Sequence, residues 1–283
     1  GGGVLGALVA ERSVVVCCGP GGVGKTTTAA TLALEGARRG RRSVVVTVDP
    51  ARRLADALGL DTPPTRNALD FVDAPRRLVR LLDNRIFRLL MLPARAGVKA
   101  VNVAAQALLR TISRVVGSEV VNDAVQFFQA FEGMEDGFRD RAQRVDRLLS
   151  DPGTAFLLVA GPRPDIVVEA DFFADRLAEA GIPVAALVVN RMHPRYGGEW
   201  SEVDRERART LAGTPLGPLY ENLADLHQVA DGEEAHVAHL IARVAPAPAV
   251  RVPVLAGDVH DLDGLTEVAT HLFGPPHEPA VDV

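Results

Sequence analysis

A glycine-rich segment near the start of the chain constrains the fold more than any other feature. Residues 19–26 read Gly-Pro-Gly-Gly-Val-Gly-Lys-Thr and stand between the apolar run Ser13 to Cys18 and a helix-forming run from Thr27 to Arg39. A strand, a glycine-rich loop ending in Gly-Lys-Thr and a helix, in that order, form the pattern that cradles phosphate groups. The alternative is a purely structural turn before a helix. The order of the three parts favours a nucleoside triphosphate site.

The residues of this loop have separate predicted roles. The glycines let backbone amides turn toward the phosphates, and the following helix adds the positive end of its dipole. Lys25 is predicted to neutralise the β- and γ-phosphates, which makes it a catalytic residue, and the Thr26 hydroxyl is predicted to bind Mg²⁺. The nucleotide-binding residues predicted in this segment are Gly19, Gly21, Gly22, Val23, Gly24, Lys25, Thr26 and Thr27.

Composition limits the class of protein. A chain of 283 residues with 47% hydrophobic and 24% charged residues is long enough for one large α/β domain or two small ones, with a substantial core. The net charge of −5 argues against nucleic acid as an electrostatic partner, so we expect no nucleic acid to bind. The arginines at positions 38, 39, 41 and 42 are interpreted as a solvated helix end.

The cysteines and the apolar runs indicate the compartment. Cys17 and Cys18 are adjacent on a strand that should be buried, so their side chains point to opposite faces and neither a disulfide nor a metal clip is expected. No apolar run reaches the roughly 18 residues of a transmembrane helix. Residues 1–10 are apolar but lack the basic region of a signal peptide. We expect a cytoplasmic protein, for which peripheral association with a membrane stays open.

A second strand is predicted close to the phosphate loop. Val44 to Val48 is a β-branched run suited to a strand buried on both faces, and with the first strand and the helix between them it predicts a parallel βαβ unit. Asp49 follows this strand at its carboxyl end, where it would orient or deprotonate an attacking water. Capping the helix Arg52 to Leu58 is a compatible alternative role.

The segment Asp61-Thr62-Pro63-Pro64-Thr65 lacks the chain that should precede it. An Asp-Thr-x-Pro element is expected after a central strand, with the aspartate reaching Mg²⁺ through water. Only Gly59 and Leu60 separate it from the preceding helix, whereas a strand needs about five residues and a parallel crossover a dozen or more. We therefore infer that residues are missing between Leu60 and Asp61.

From Ala74 to about Ser150 the sequence pattern is almost wholly helical. The first part of this region is too apolar for a solvated outer helix, while the segment from Glu119 to Leu149 becomes charged after Glu135. Either these helices bury one another, or they present an apolar face to a partner or a lipid-like client.

Strands return in the last part of the chain. Runs at 154–160 and 183–190, with a helix at 165–180 between them, predict a second βαβ unit. Asn190 and Arg191 stand at a strand end, where the Asn190 amide would read an adenine ring or merely cap a loop. The remaining predicted elements are surface helices at 201–212 and 220–244 with exposed histidines at 227, 236 and 239, a strand at 250–255, and a helix capped by Asp261 and ending at Phe273.

Five stretches together resemble one family. They are GPGGVGKTTTAA, TVDPARRLADALG, DTPPT, LVVNR and RVPVLAGDVHDLDGL, and they are similar to the ArsA-like ATPases, which include arsenite-pump and tail-anchored-protein-targeting ATPases. More narrowly, the stretches resemble the actinobacterial anion-transporting ATPase branch. The resemblance implies a P-loop NTPase fold with a mostly parallel, doubly wound sheet, a single domain over residues 1–283, an inserted helical subdomain at about 74–150, and dimers that sandwich ATP.

The resemblance also implies roles for single residues. Asp49 corresponds to the aspartate that positions water, and Asp61 to the aspartate that reaches Mg²⁺. Asn190, with its neighbour Arg191, corresponds to the adenine-reading position, and Pro253 lies in the segment that flanks the adenine.

Two departures from the family pattern affect the expected function. The family's loop begins Gly-Lys-Gly-Gly, and the lysine reaches across the dimer, but this chain has Pro20 there. The chain also lacks the Cys-x-x-Cys pair that joins targeting-factor homodimers and the cysteines needed for arsenite. A heterodimer with a lysine-bearing ArsA-like paralogue therefore stands beside a homodimer.

The expected function is that of a Mg²⁺-dependent ATPase that couples its nucleotide state to a helical region binding a partner or a hydrophobic client. Its intrinsic rate would be low without a partner. The alternative is a catalytically weak, nucleotide-gated scaffold. A DNA-partitioning ATPase would need a basic surface that this acidic chain does not indicate.

Overall fold

The structure is a computed structural model, and it describes residues 2–47, 76, 79, 80, 83, 135–196 and 201–274. The chain divides into two compact units, residues 1–69 with 152–283, and residues 70–151. Asp49, Asp61 and the junction between Leu60 and Asp61 lie outside the described residues, so the predictions made for them stay predictions. The predicted domain boundaries stay predictions as well.

The first unit has an α/β fold built on a parallel sheet, as the sequence predicts. Its four described strands lie in the order β1-β2-β3-β4, and every neighbouring pair is parallel. The strands are β1 (Val14–Cys18), β2 (Thr154–Ala160), β3 (Val184–Met192) and β4 (Ala249–Pro253). The helices described in the chain are α1 (Gly2–Glu11), α2 (Lys25–Arg38), α3 (Glu135–Leu149), α4 (Pro164–Glu179), α5 (Ser201–Thr210), α6 (Gly217–Arg243) and α7 (Leu262–Phe273).

Helices cover both faces of this sheet. On one face, Leu157 and Val188 pack in a buried cluster with Leu5 of α1, Leu32 of α2 and Leu272 of α7. The alternate residues of β2 point to the other face, where α4 packs against β2 and α6. Because the central strands are buried on both faces, they appear in the sequence as continuous apolar runs. The strands predicted at 154–160 and 183–190, and the helix between them, are therefore confirmed.

The strand predicted at Val44 to Val48 is wrong for its described residues, 44–47. These residues have no strand conformation, and the side chains of Val44 and Val46 are 85% and 75% exposed. A β-branched run becomes a strand only where its backbone hydrogen-bonds to a neighbouring strand and its side chains pack. In the described sheet β1 pairs with β2, and residues 44–47 have no place in that ladder.

Helix α1 has no counterpart among the predicted elements. Its apolar residues Leu5 and Leu8 are buried against the core rather than forming an isolated apolar end. Arg41 donates to the Ala10 carbonyl at 2.8 Å in the last turn of α1, and Arg39 donates to the Gly6 carbonyl at 3.0 Å in the middle of the helix. Cations that bond the last carbonyls of a helix stabilise its C-terminus. Part of the basic cluster interpreted as a solvated helix end therefore caps α1.

In the second unit, α3 is helical as predicted, and residues 76, 79, 80 and 83 are also helical. Arg76 Nε lies 2.6 Å from Asp146 Oδ1, and Arg139 Nη2 lies 3.1 Å from Asp83 Oδ1. Among all the helices that the structure describes, none has the length and apolar character needed to cross a bilayer.

Candidate nucleotide site

The phosphate loop joins β1 to α2 through backbone that only glycine adopts without strain. Gly19 has a φ of 141°, and a Cβ built there would lie 2.0 Å from the Val159 carbonyl oxygen of β2. Gly24, directly before α2, has a φ of 94°. Any other residue at these positions would have to adopt a rare left-handed conformation. At Gly19 the sheet backbone would also have to shift. The loop therefore passes tightly over the carboxyl end of the sheet, where parallel α/β folds bind ligands.

Lys25 and Thr26, at the end of the loop, are the two side chains predicted to bind phosphate and metal. Lys25 Nζ donates a hydrogen bond to the Pro20 carbonyl at 2.6 Å, so the ammonium lies against the loop itself. Thr26 is exposed in the first turn of α2. A hydroxyl oxygen is a hard ligand of the kind that Mg²⁺ takes beside nucleotide phosphates. Thr26 therefore fits the metal role predicted for it.

The end of β3 meets the phosphate loop. Asn190 Nδ2 donates to the Val23 carbonyl at 2.9 Å, and Arg191 Nη1 lies 3.4 Å from the Gly22 carbonyl oxygen. Pro253 lies in register with Met192 at the end of β4. The structure thus places Asn190 and Arg191 beside the loop residues, although their contact with the loop carbonyls is not among the sequence predictions. Their role toward adenine stays a prediction.

Comparison with known proteins points in the same direction. The profile of the Anion-transporting ATPase family matches residues 12–62, which contain the whole phosphate loop. The septum site-determining protein MinD of Synechocystis sp. is 29% identical over 211 residues, or 73% of this chain and 74% of that protein. The Aquifex aeolicus protein named "Putative arsenical pump-driving ATPase 1" is 25% identical over 223 residues, or 77% of this chain and 46% of that protein.

The chain is similar to the ArsA-like P-loop ATPases, and the family profile covers its phosphate loop. The family profile and the relatives agree with the parallel sheet and the phosphate loop described above. The resemblance to ArsA-like ATPases is therefore confirmed, while the actinobacterial branch stays a prediction.

The two thiols of this ArsA-like chain are free and lie on the strand that enters the phosphate loop. Burial raises the pKa of both to about 12 from an ordinary value of 9.0. The neighbouring Cys18 raises the pKa of Cys17 further, and the Lys25 ammonium opposes the rise at both. Because the thiolate is the nucleophile, thiols with such a pKa are inert at neutral pH. Cys17 and Cys18 are therefore packing residues.

We expect native protein at pH 8 to react with a disulfide reagent such as DTNB at least about a hundredfold more slowly than urea-unfolded protein. The folded pKa of the thiols lies above the unfolded value of 9.0, so their contribution to the free energy of unfolding is complete below about pH 9 and falls as the pH rises toward 12. A Cys17→Ala/Cys18→Ala variant should lose less stability than wild type over that range. Native thiols that react at the unfolded rate would contradict the assignment.

A buried histidine on α6 corrects a prediction. His227 was expected to be exposed, but His227 and Asp204 of α5 are each only 1% exposed. His227 Nδ1 lies 2.8 Å from Asp204 Oδ2, a distance typical of an ion pair, although the two atoms are not aligned as a hydrogen bond. His227 Nε2 lies 2.8 Å from the carbonyl oxygen of Tyr196, in the segment after β3. His236 and His239 are exposed, as predicted.

Proposed function

We propose that this chain is a Mg²⁺-dependent ATP-binding and ATP-hydrolysing switch protein. The observation that carries the proposal is the Lys25 ammonium lying 2.6 Å from the Pro20 carbonyl, over a glycine loop that opens onto the N-terminus of α2. A helix N-terminus, the backbone amides of a glycine loop and a lysine at one place are the groups that phosphoryl transfer requires for positioning and charge stabilisation.

In this proposal each site residue has one task. Lys25 neutralises the charge of the β- and γ-phosphates, and Thr26 and Asp61 hold Mg²⁺. Asp49 orients the attacking water. Asn190, Arg191 and Pro253 form the side of the site that receives the base. The metal supplies neutralisation of the charge that develops on the phosphates.

Hydrolysis would be coupled to the helical region at 74–134, where a partner or a hydrophobic client would bind. We propose a dimer in the cytoplasm, with peripheral membrane association allowed. Pro20 cannot supply the cation that a lysine would carry across a dimer. This favours a heterodimer with a lysine-bearing paralogue, or a second function as a nucleotide-gated scaffold with weak turnover.

The test measures ATP binding by calorimetry and Mg²⁺-dependent phosphate release, for the wild type and for Asp49→Asn. We expect Asp49→Asn to bind ATP within about twofold of the wild type and to lose at least about a hundredfold in turnover, because an amide cannot accept the water's proton. Removing Mg²⁺ with EDTA should also stop turnover.

Different outcomes separate the parts of the proposal. Unchanged turnover in Asp49→Asn would reject the role of Asp49. A wild type that binds ATP but turns over only after a lysine-bearing paralogue is added would favour the heterodimer. ATP binding without turnover in either case would favour the scaffold, and no ATP binding would reject the proposed function.

A further inference from the structure

The end of β3 departs from regular strand geometry at the point where it meets the phosphate loop. The register between β3 and β4 shifts between Asn190 and Met192, and Arg191 between them has a φ of 62°. A left-handed residue other than glycine is uncommon. A strand irregularity of this kind re-aims side chains that a regular strand would send to alternate faces. Here it presents the neighbouring side chains of Asn190 and Arg191 to one loop.

The Asn190 amide is fixed at both of its ends. Its Nδ2 donates to the Val23 carbonyl at 2.9 Å, and its Oδ1 accepts from the Arg191 backbone N–H at 3.0 Å. Exchanging the oxygen and the nitrogen would place acceptor against acceptor and donor against donor, so only one orientation satisfies both contacts. The half-buried side chain is thus held in one position against the loop.

Because Gly24 has no side chain, the Asn190 amide can lie directly against it. A Cβ built on Gly24 would lie 2.4 Å from Asn190 Nδ2. The glycine before Lys25 is therefore required by the approach of Asn190 as well as by its own positive φ. The sequence of the loop and the side chain at the end of β3 fit each other.

These contacts set the direction of the loop's amides. In a trans peptide the C=O of one residue and the N–H of the next point in opposite directions. Asn190 holds the Val23 carbonyl, so the N–H of the next residue, Gly24, faces the opposite side. Arg191 lies against the Gly22 carbonyl at the longer distance of 3.4 Å, so the Val23 N–H also faces away from β3. A phosphate cradle needs N–H groups turned inward and carbonyls turned away.

The strand end that carries Asn190 is itself anchored to α6. Glu233 accepts hydrogen bonds from the His193 backbone N–H and lies against His193 Nδ1, both at 2.7 Å. Arg195 pairs with Asp231, and the Tyr196 carbonyl faces buried His227. Because this segment is anchored to α6, the Asn190 side chain has a fixed position and can restrain the phosphate loop.

We propose that Asn190 is a positioning residue that holds the phosphate loop in its polyphosphate-binding shape. This inference rests on the proposed function but concerns a different part of the ligand. A residue that only reads the base acts on the adenine end of ATP. A residue that orients the Gly24 amide acts on the triphosphate, and its loss weakens binding of a polyphosphate that has no base.

The experiment compares wild type with Asn190→Leu, which keeps the side-chain size and removes its hydrogen bonds, and with Asn222→Ala, a control that changes an exposed asparagine of α6. Hydrogen exchange without nucleotide is followed across residues 20–25, and binding of ATP and of inorganic tripolyphosphate is measured by calorimetry. We expect Asn190→Leu to exchange faster in this loop and to bind both ligands about tenfold more weakly. The control should match wild type in all three.

Two results would overturn the inference. One is unchanged exchange across residues 20–25 in Asn190→Leu. The other is tripolyphosphate affinity within twofold of wild type in a variant that has lost ATP affinity, which would leave Asn190 as a base reader only. Failure of the wild type to bind ATP would instead reject the proposed function, and this inference with it. A wild type that binds ATP but not tripolyphosphate would overturn this inference alone.

Discussion

Replacing Lys25 with methionine is expected to lower the rate of ATP hydrolysis at least about a hundredfold, because methionine keeps most of the apolar stem and removes the charge. A single preorganised group that stabilises charge in a transition state is worth roughly that factor or more. The ammonium already lies against the phosphate loop, 2.6 Å from the Pro20 carbonyl, so little rearrangement is needed for it to reach a bound phosphate. Phosphate release under saturating ATP and Mg²⁺ measures the effect.

The matched control for Lys25 is Arg42→Met, which removes an exposed cation from the same unit of the chain. This control should hydrolyse ATP within about twofold of wild type, since exposed charges contribute little at a distance. A Lys25→Met variant that retains more than a tenth of the wild-type rate would show that another group carries the charge stabilisation. Far-ultraviolet circular dichroism of both variants checks that the fold is intact.

The elements that the sequence predicts well are those whose signal is local. The strands at β2 and β3 are buried on both faces, so their apolar runs mark them directly. The phosphate loop is recognisable because its glycines, lysine and threonine stand at fixed spacing beside a strand and a helix. Its position over the carboxyl ends of the strands follows from the parallel topology.

The composition of a segment does not show whether a neighbouring strand is present to pair with it. Residues 44–47 have the β-branched character of a buried strand, yet the structure leaves Val44 and Val46 exposed. A strand without a hydrogen-bonded neighbour gains nothing from its propensity.

Long-range polar contacts are the second feature that the sequence does not predict. Asn190 and Val23 are 167 positions apart, and no local pattern joins them. For His227 a signal was present, because it lies on the same buried stripe of α6 as Ala224 and Ala230. Spacing by three along a helix places these side chains on one face. The lack of partner carboxylates at a ligand spacing favours an exposed histidine, whereas the position of His227 on this stripe predicts burial.

Removing either member of the Asp204–His227 pair is expected to lower the free energy of unfolding by about 3–5 kcal/mol, because the partner loses its nearest compensating group in the interior. When His227 is removed, Asp204 Oδ1 keeps only the longer contact with Arg207 Nη1, at 3.8 Å. Both residues are 1% exposed, so water does not reach them to replace the lost contact. The pair also holds the segment after β3, because His227 Nε2 faces the Tyr196 carbonyl at 2.8 Å. Urea unfolding of Asp204→Ala, His227→Ala and the double variant gives the three free energies, and a double-mutant cycle isolates their coupling.

His239 provides the matched control, since it also pairs with an aspartate. Its Nδ1 lies 3.4 Å from Asp171 Oδ2, but its side chain is 73% exposed. An exposed pair contributes about 0–1 kcal/mol, so His239→Ala should leave the urea midpoint nearly unchanged. In the buried pair, the double variant should lose less than the sum of the two single losses, because the second removal takes away the orphaned partner. Additive losses would mean that Asp204 and His227 stabilise the α5–α6 packing independently, through contacts other than with each other.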